Sequence, residues 1–428
     1  MEKIIDALAF MPQHRKESRR SSTLGLDELL DDARSLRELD GGSLDLVMMG
    51  YRFHARSLRE IENFLGGKKL KPAALEDLLS LCFSSLLTRD KIPVAIQVNN
   101  FVEAAAKRFG PHTKGLVNAF ARGTLRKLDS LKKELLDNPI AWLPAGIQKQ
   151  WKNSPETLKD ISKRVFERPE SGLSAFYFNE QSQKIQFERR PLSAWKDLEA
   201  EGQSFQAMDQ GSWLLVQWLL SILPTDKKEN FRFLDACAAP GGKCLALASL
   251  ISEKMEIDIQ VHATDSKFPR IQKLIGNIDR WKKSIPTASS QKTKFSTQLF
   301  AWGEDDVNEL TPPWATSSKQ ELTPDLILAD LPCSGSGTLH TRPDLLNENL
   351  EMRITQLQPL QKNILEALMK MKSPNLVVAI CSVDPREIEN VSKVLGRKPD
   401  FKSWQNPDAT LAEGLVAWHL QTKDSSGN

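Results

Sequence analysis

Apolar residues in the first third of this chain fall three and four positions apart. Leu26, Leu29 and Leu30 are followed by Leu36 and Leu39, and Leu75, Leu78 and Leu79 by Leu86. That spacing lays one apolar stripe along a helix. Gly41-Gly42, Gly66-Gly67 and Gly110-Pro111 punctuate the pattern as helix ends and turns. Residues 24–138 therefore read as an all-α domain. Between 139 and 205, Pro144, Pro155, Pro169 and Pro191 separate short apolar pieces, and 172–178 and 184–187 have strand composition. This stretch reads as a small α+β connector. From 206 to 428 helix and strand alternate, which predicts a doubly wound, Rossmann-like α/β domain with a mostly parallel sheet. Its predicted strands are 232–234, 259–263, 294–299, 326–329 and 376–380, with a last one at 414–420. The Ser/Thr/Lys-rich stretch 282–292 and the stretch 311–323 are predicted as loops.

Composition adds bounds. A chain of 428 residues is long enough for more than one domain, and its apolar content is enough to bury real cores. A formal net charge of +3 is slight for a nucleic-acid binder, so such a role must rest on local basic patches. Five cysteines without Cys-x-x-Cys spacing argue against a disulfide framework and against a structural zinc site; no metal is expected. The first apolar stretch contains Asp6, and the basic run of His14, Arg15, Lys16, Arg19 and Arg20 follows it, the reverse of a signal peptide. No apolar run approaches membrane-spanning length. A cytoplasmic monomer without a membrane partner is expected.

The run from Phe233 to Asp235 reads as a strand that ends in Ala236-Cys237-Ala238-Ala239-Pro240-Gly241-Gly242-Lys243. Glycines in such a turn let backbone approach a ligand closely. The pattern is neither the dinucleotide fingerprint nor a Walker loop. The next strand ends in Ala263-Thr264-Asp265, where a carboxylate can accept both hydroxyls of a ribose. Either feature alone is more often an ordinary turn or a helix cap. In this order they point to an adenosine-bearing cofactor.

Two later strands end in cysteine. Cys333 follows Ala329-Asp330-Leu331-Pro332, and Cys381 follows Val378-Ala379-Ile380. Ligands of open α/β sheets bind at that edge. A thiolate that adds to carbon-6 of a pyrimidine makes carbon-5 nucleophilic, so that a methyl donor can react there. The attacking thiol must be accessible and its pKa lowered. An acid must steady the charge developing at N3 and O2, a role Asp330 is placed to fill. A base must then remove the carbon-5 proton, which a second thiolate can do. Cys82, Cys237 and Cys244 read as small buried hydrophobes, with Cys237 approaching the cofactor through its backbone. Spacing does not say which of Cys333 and Cys381 attacks.

At Leu234 to Lys243, at Asp330-Leu331-Pro332-Cys333-Ser334-Gly335-Ser336-Gly337 and at Ile380-Cys381-Ser382-Val383 the sequence resembles the Nop/Sun family of S-adenosylmethionine-dependent RNA cytosine-5 methyltransferases. Arg342-Pro343-Asp344 and a helix over 356–365 fall where the family has them. Within the family it is similar to the ribosomal RNA small-subunit methyltransferase B type. Lys114-Gly115-Leu116-Val117-Asn118-Ala119-Phe120 and the stretch from Ile92 to Ala104 resemble the NusB-like RNA-binding domain of that type. The resemblance implies S-adenosyl-L-methionine as cofactor, held at 237–243 and by Asp265. It implies Cys381 as nucleophile, Cys333 as the residue assisting release, and Asp330 as the acidic active-site residue. It also implies small-subunit ribosomal RNA as partner. Three segments depart from the family. Ala301-Trp302-Gly303 replaces an acidic residue, so Trp302 is expected to stack on adenine. His340-Thr341 stands where two arginines are common, and Glu413-Gly414-Leu415-Val416 replaces Asp-Gly-Phe-Phe.

A cytosine in folded RNA must be splayed out before a thiol reaches it, and this calls for basic and aromatic surface. Arg122, Arg126, Lys127, Lys132 and Lys133 form one basic group. Lys267, Arg270, Lys273, Arg280, Lys282 and Lys283, with Trp281 among them, form another. Two other readings compete with ribosomal RNA methylation. One is the same chemistry on tRNA or another RNA. The other is a non-catalytic RNA-binding assembly factor, against which the retention of Cys333, Cys381 and Asp330 argues.

Overall fold

The computed structural model describes residues 1–13, 41–167, 172–223, 230–285, 292–314, 323–405 and 413–421. The Leu26–Leu39 periodicity, the basic run at 14–20, residues 286–291 and residues 315–322 lie outside the described residues. Two compact units account for the chain: Met1–Pro169 with Leu339–Leu350, and Glu170–Thr338 with Glu351–Asn428. Of the stretch read as a connector, 139–169 belongs to the first unit and 170–205 to the second.

The first unit is helical. Its helices are α1 (Glu2–Leu8), α2 (Gly41–Leu65), α3 (Ala74–Thr88), α4 (Val94–Phe109), α5 (Lys114–Arg126), α6 (Leu128–Asp137), α7 (Ala145–Gln150) and α8 (Pro155–Phe166). The stripe Leu75, Leu78, Leu79 and Leu86 is buried as its spacing predicts, but α3 is buried on its other sides as well. Several buried hydroxyls there find polar partners: Ser80 meets both His54 and Ser57, and Ser85 donates to Gln97. Trp142, in a turn after α6, fills the space among Phe53, Phe83 and Phe166, which ties 139–166 to this core. Residues 339–350 join it too. The buried Arg52 guanidinium donates to the carbonyls of Val165 and His340, and Asn347 Nδ2 donates to the Tyr51 carbonyl at 3.2 Å.

The second unit holds two sheets. A small antiparallel sheet pairs β1 (Leu173–Asn179) with β2 (Lys184–Arg190) and β3 (Phe205–Ala207). The larger sheet has β4 (Phe231–Asp235), β5 (Ile259–Asp265), β6 (Thr293–Leu299), β7 (Leu326–Asp330), β8 (Asn375–Ile380), β9 (Phe401–Lys402) and β10 (Val416–Gln421). Their order is β6-β5-β4-β7-β8-β10-β9. Every pair from β6 to β8 is parallel, and β10 runs antiparallel to β8 and β9. β8 is buried along its whole length and β7 up to its last residue, as unbroken apolar strands in a covered parallel sheet must be. The helices of this unit are α9 (Leu192–Ala200), α10 (Gln210–Ile222), α11 (Gly242–Met255), α12 (Phe268–Ser284), α13 (Leu350–Lys370) and α14 (Pro385–Leu395).

Two expectations need correction. Residues 282–284, predicted as the start of a loop, are helix, because α12 continues to Ser284 with Trp281 in its core-facing row. Trp281 is only 1% exposed, packs on Phe176 with ring centroids 4.8 Å apart, and donates to Ser249 Oγ. It anchors a helix and offers no ring to RNA.

From β4 the chain first builds β5 and β6 on one side, then crosses to build β7 and β8 on the other. The strand order therefore reverses between β4 and β7. That is the switch point at which ligands of such sheets bind.

Candidate active site

The turn after β4 is pinned from two sides. Ala236 N–H donates to Leu328 on β7, and Ala238 N–H to Thr264 on β5. Gly241 then caps α11 with a φ of +108°, and a Cβ there would lie 2.6 Å from Leu274 Cδ1. Only glycine suits both constraints. The first turn of α11 leaves backbone N–H groups without helical partners, a site suited to anions and polar ligands. Ala238 and Ala239 are buried, Pro240 is exposed, and Cys237 is half-buried with its thiol pushed up by burial.

Asp265 closes the end of β5, 5% exposed, held by Lys267 N–H at 3.1 Å and Arg270 Nε at 3.2 Å. Asp235 at the end of β4 is 1% exposed, and its Oδ1 has no partner. Burial first, then the neighbouring Asp330, pushes its carboxyl up to about 8. A fixed carboxylate one strand over, a turn that only glycine fits and an orphaned acceptor together fit an adenosine-bearing cofactor. Trp302 does not extend this site as expected. Its ring is 3% exposed, packs edge-on against Phe300, and donates to Thr264 Oγ1 at 2.8 Å. It holds the end of β5 in place, and no face is left open for stacking.

The side chain of Lys243 reaches out of the turn that its backbone completes. Its Nζ sits 2.7 Å from Asp330 Oδ2, across from the end of β7. Burial works to strip its proton, but Asp330, Cys381 and Asp209 outweigh that and hold it well above its ordinary value. The last residue of the predicted cofactor turn is thus the cation of the thiol end.

Asp330 is register-paired with Ala379, so the segments bearing Cys333 and Cys381 leave adjacent strands side by side. Cross-links hold them together. Gly337 N–H donates to the Cys381 carbonyl at 3.1 Å, Ser336 Oγ lies 2.8 Å from Ser382 Oγ, and Val383 N–H donates to Ser336 Oγ. Gly414 backs the pair, its N–H on the Gly337 carbonyl at 2.9 Å; a Cβ on Gly337 would strike Gly414.

The lowered pKa expected of the attacking thiol is found at neither cysteine. Burial, then Glu387 and Asp330, pushes Cys333 up to about 12, while N–H groups of Gly335 and Cys381 work the other way. Burial also carries Cys381 well above its usual value; Lys243 opposes this, and Asp330, Cys333 and Glu413 add to it. The cause is shared. Two half-buried thiols stand among carboxylates, and the Lys243 ammonium opposes those charges only at Cys381 among the influences that dominate there. Glu387 and Gln361, which hold the Cys333 turn, were not anticipated; both lie outside any motif that names a thiol.

The basic residues divide between the units. In the first, Arg122, Arg126 and Lys127 line a cavity of about 590 Å³ along α5, with Asn118, Ala119 and Phe64. Lys127 also reaches Glu60 at 3.2 Å. In the second, Lys282 lies over the Phe295 ring, Arg280 bonds Asn277, and Lys283 is exposed. Among the described residues no cluster of His, Cys, Asp or Glu is suited to a metal ion, and no helix is long and apolar enough to cross a membrane.

Residues 222–414 match the family described as 16S rRNA methyltransferase RsmB/F, and residues 3–135 match the NusB family. The probable ribosomal RNA small subunit methyltransferase B of Synechocystis sp. is 26% identical over 375 residues, covering 79% of this chain and 77% of its own. The ribosomal RNA small subunit methyltransferase B of Vibrio vulnificus is 25% identical over 397 residues, covering 86% and 85%. The crystal structure of PH0851 shares the fold over 98% of both chains, with a TM-score of 0.61 at 16% identity.

Proposed function

The chain belongs to the RsmB/F family of S-adenosylmethionine-dependent RNA methyltransferases and carries a NusB-family domain ahead of the catalytic one; from this we propose that it methylates carbon-5 of a cytosine in small-subunit ribosomal RNA through a covalent Cys381 adduct. The observation that carries the reading is the meeting of Asp330, Cys333 and Cys381 on paired strand ends with the Lys243 ammonium.

S-adenosylmethionine, when bound, supplies an electrophilic methyl group. The backbone of Cys237, Ala238, Ala239, Pro240, Gly241, Gly242 and Lys243 would hold it, with Asp265 on the ribose. Lys243 favours the Cys381 thiolate, pulling this thiol down against its burial. That thiolate forms a bond to carbon-6, and the ring's electron pair moves to carbon-5. Asp330, bonded to Lys243 through one oxygen, meets the ring where charge builds at N3 and O2. After methylation the Cys333 thiolate takes the carbon-5 proton. The electrons of that C–H bond restore the 5,6 double bond, and Cys381 leaves as thiolate. Arg122, Arg126 and Lys127 on the helical unit and Arg280, Lys282 and Lys283 on the catalytic one would meet RNA phosphates. The reading also puts the protein in the cytoplasm, where its five free cysteines stay reduced.

The test is methyl transfer to protein-free small-subunit rRNA, with 5-methylcytosine mapped at single-nucleotide resolution. One modified cytosine, absent with Cys381→Ala, is expected. Transfer to tRNA alone would move the substrate elsewhere, and no transfer to any RNA would sink the enzyme reading.

A further inference from the structure

Glu387 lies in the first turn of α14 and has no solvent exposure. At the third helical position after the Asp384 cap, a glutamate commonly reaches back to the cap's own N–H. Here Ser382 Oγ accepts that N–H at 3.1 Å, and Glu387 is committed elsewhere. Its Oε1 accepts from Ser334 N–H at 3.0 Å and from Gln361 Nε2 at 3.1 Å, and its Oε2 from Ser334 Oγ at 2.6 Å. Gln361, itself 3% exposed, also donates to the Pro332 carbonyl at 2.9 Å. Both residues flanking Cys333 are therefore clamped, one through its carbonyl and the other through its N–H and hydroxyl.

We propose that Glu387 is the positioning residue of Cys333, fixing its turn and making its thiolate a stronger base for the release step. This rests on the role given to Cys333 above. The groups facing that sulfur come from three elements. Asp330 stands at the end of β7, Glu387 on α14, and Cys381 after β8, with Lys243 of α11 reaching Asp330 and Cys381. Arg386, next to Glu387, is engaged by Asp384 and Glu351. After burial, Glu387 is the largest influence raising Cys333, whereas the charged group opposing burial at Cys381 is Lys243. A thiol beside an anion holds a proton tightly and suits proton removal; a thiol beside a cation ionises more readily and suits attack. The clamp thus separates the work of two residues of one type.

Glu387→Gln tests the charge while sparing the shape. Its amide oxygen still accepts from Ser334 N–H, and its NH₂ can donate to Ser334 Oγ. The full chain is labelled with iodoacetamide at one mildly alkaline pH, and the Cys333 peptide is quantified by mass spectrometry. Labelling of Cys333 should rise about tenfold, as removal of one nearby like charge implies. An unchanged or slower rate overturns the proposal. Ser334→Ala keeps the charge and removes one strand of the clamp. It should leave labelling slow and, with RNA and S-adenosylmethionine, accumulate covalent adduct. Prompt release in that variant would refute the positioning role, even were Glu387→Gln not to fold. Labelling requires neither RNA nor cofactor. Faster labelling in a protein that methylates no RNA would therefore fault the function, while unchanged labelling in an active enzyme would fault this inference.

Discussion

The ends of β7 and β8 are alike in almost everything local sequence controls. Each is a buried apolar strand that runs into a turn with a half-buried cysteine and a serine after it. They differ in what reaches them from elsewhere in the chain. Lys243, from the start of α11, favours the Cys381 thiolate, while Glu387, from α14, opposes that of Cys333. Chemical identity is shared, and charge is assigned by topology. A nucleophile and a base can therefore be made from one residue type on neighbouring strands.

Removal of the thiols tests this division most severely. Cys381→Ala should abolish both methyl transfer and any covalent protein–RNA adduct on a denaturing gel. Cys333→Ala should retain the adduct and fail to release it; equal behaviour of the two variants would erase the distinction. Lys243→Gln comes next. Its transfer rate near neutral pH should fall about 100-fold, typical of losing one electrostatic contributor at a reacting centre. Its pH–rate profile should move to higher pH, because the group that lowers Cys381 is gone. A uniform loss with no shift would leave Lys243 a purely structural role.

A smaller effect belongs to the cofactor side. Asp235 rises from an ordinary carboxyl value to about 8 on folding, so the folded state keeps a proton that the unfolded chain releases. Its contribution to stability is present below about pH 4 and is lost as pH rises toward 8. Asp235→Asn should remove that part of the decline, read as Tm against pH; an unaltered slope would mean Asp235 ionises normally. The smallest effect lies in the helical unit. Arg122→Ala should weaken RNA binding a few-fold and reduce the salt slope of log affinity by about one contact's worth. An unchanged slope would remove that face from the interface.

Much of this architecture could be read from the chain. Leucines three and four positions apart marked α3, unbroken apolar runs marked β7 and β8, shorter strand-like runs marked β4 and β5, and the paired glycines Gly241 and Gly242 marked a turn that a side chain at Gly241 would block. The placement of Asp265, Asp330, Cys333 and Cys381 at one edge was legible because the two aspartates end strands and the two cysteines follow strand ends, and strand ends form one edge of an open sheet. Trp281 and Trp302 were misread because composition does not tell a buried indole from an exposed one. Glu387 and Gln361 carried no signal, since they act through hydrogen bonds to residues 26 to 53 positions away.

Local pattern, then, determined by itself which segments are helix and strand and which residues stand at the reactive edge, because periodicity and turn chemistry are properties of neighbours in sequence. Tertiary structure alone decided that Lys243 belongs with Asp330 and that Glu387 belongs with Cys333. Those assignments follow from β4 lying beside β7 and from α14 packing its first turn against the loop after β7. Electrostatic interaction depends on distance through space, and distance along the chain does not report it.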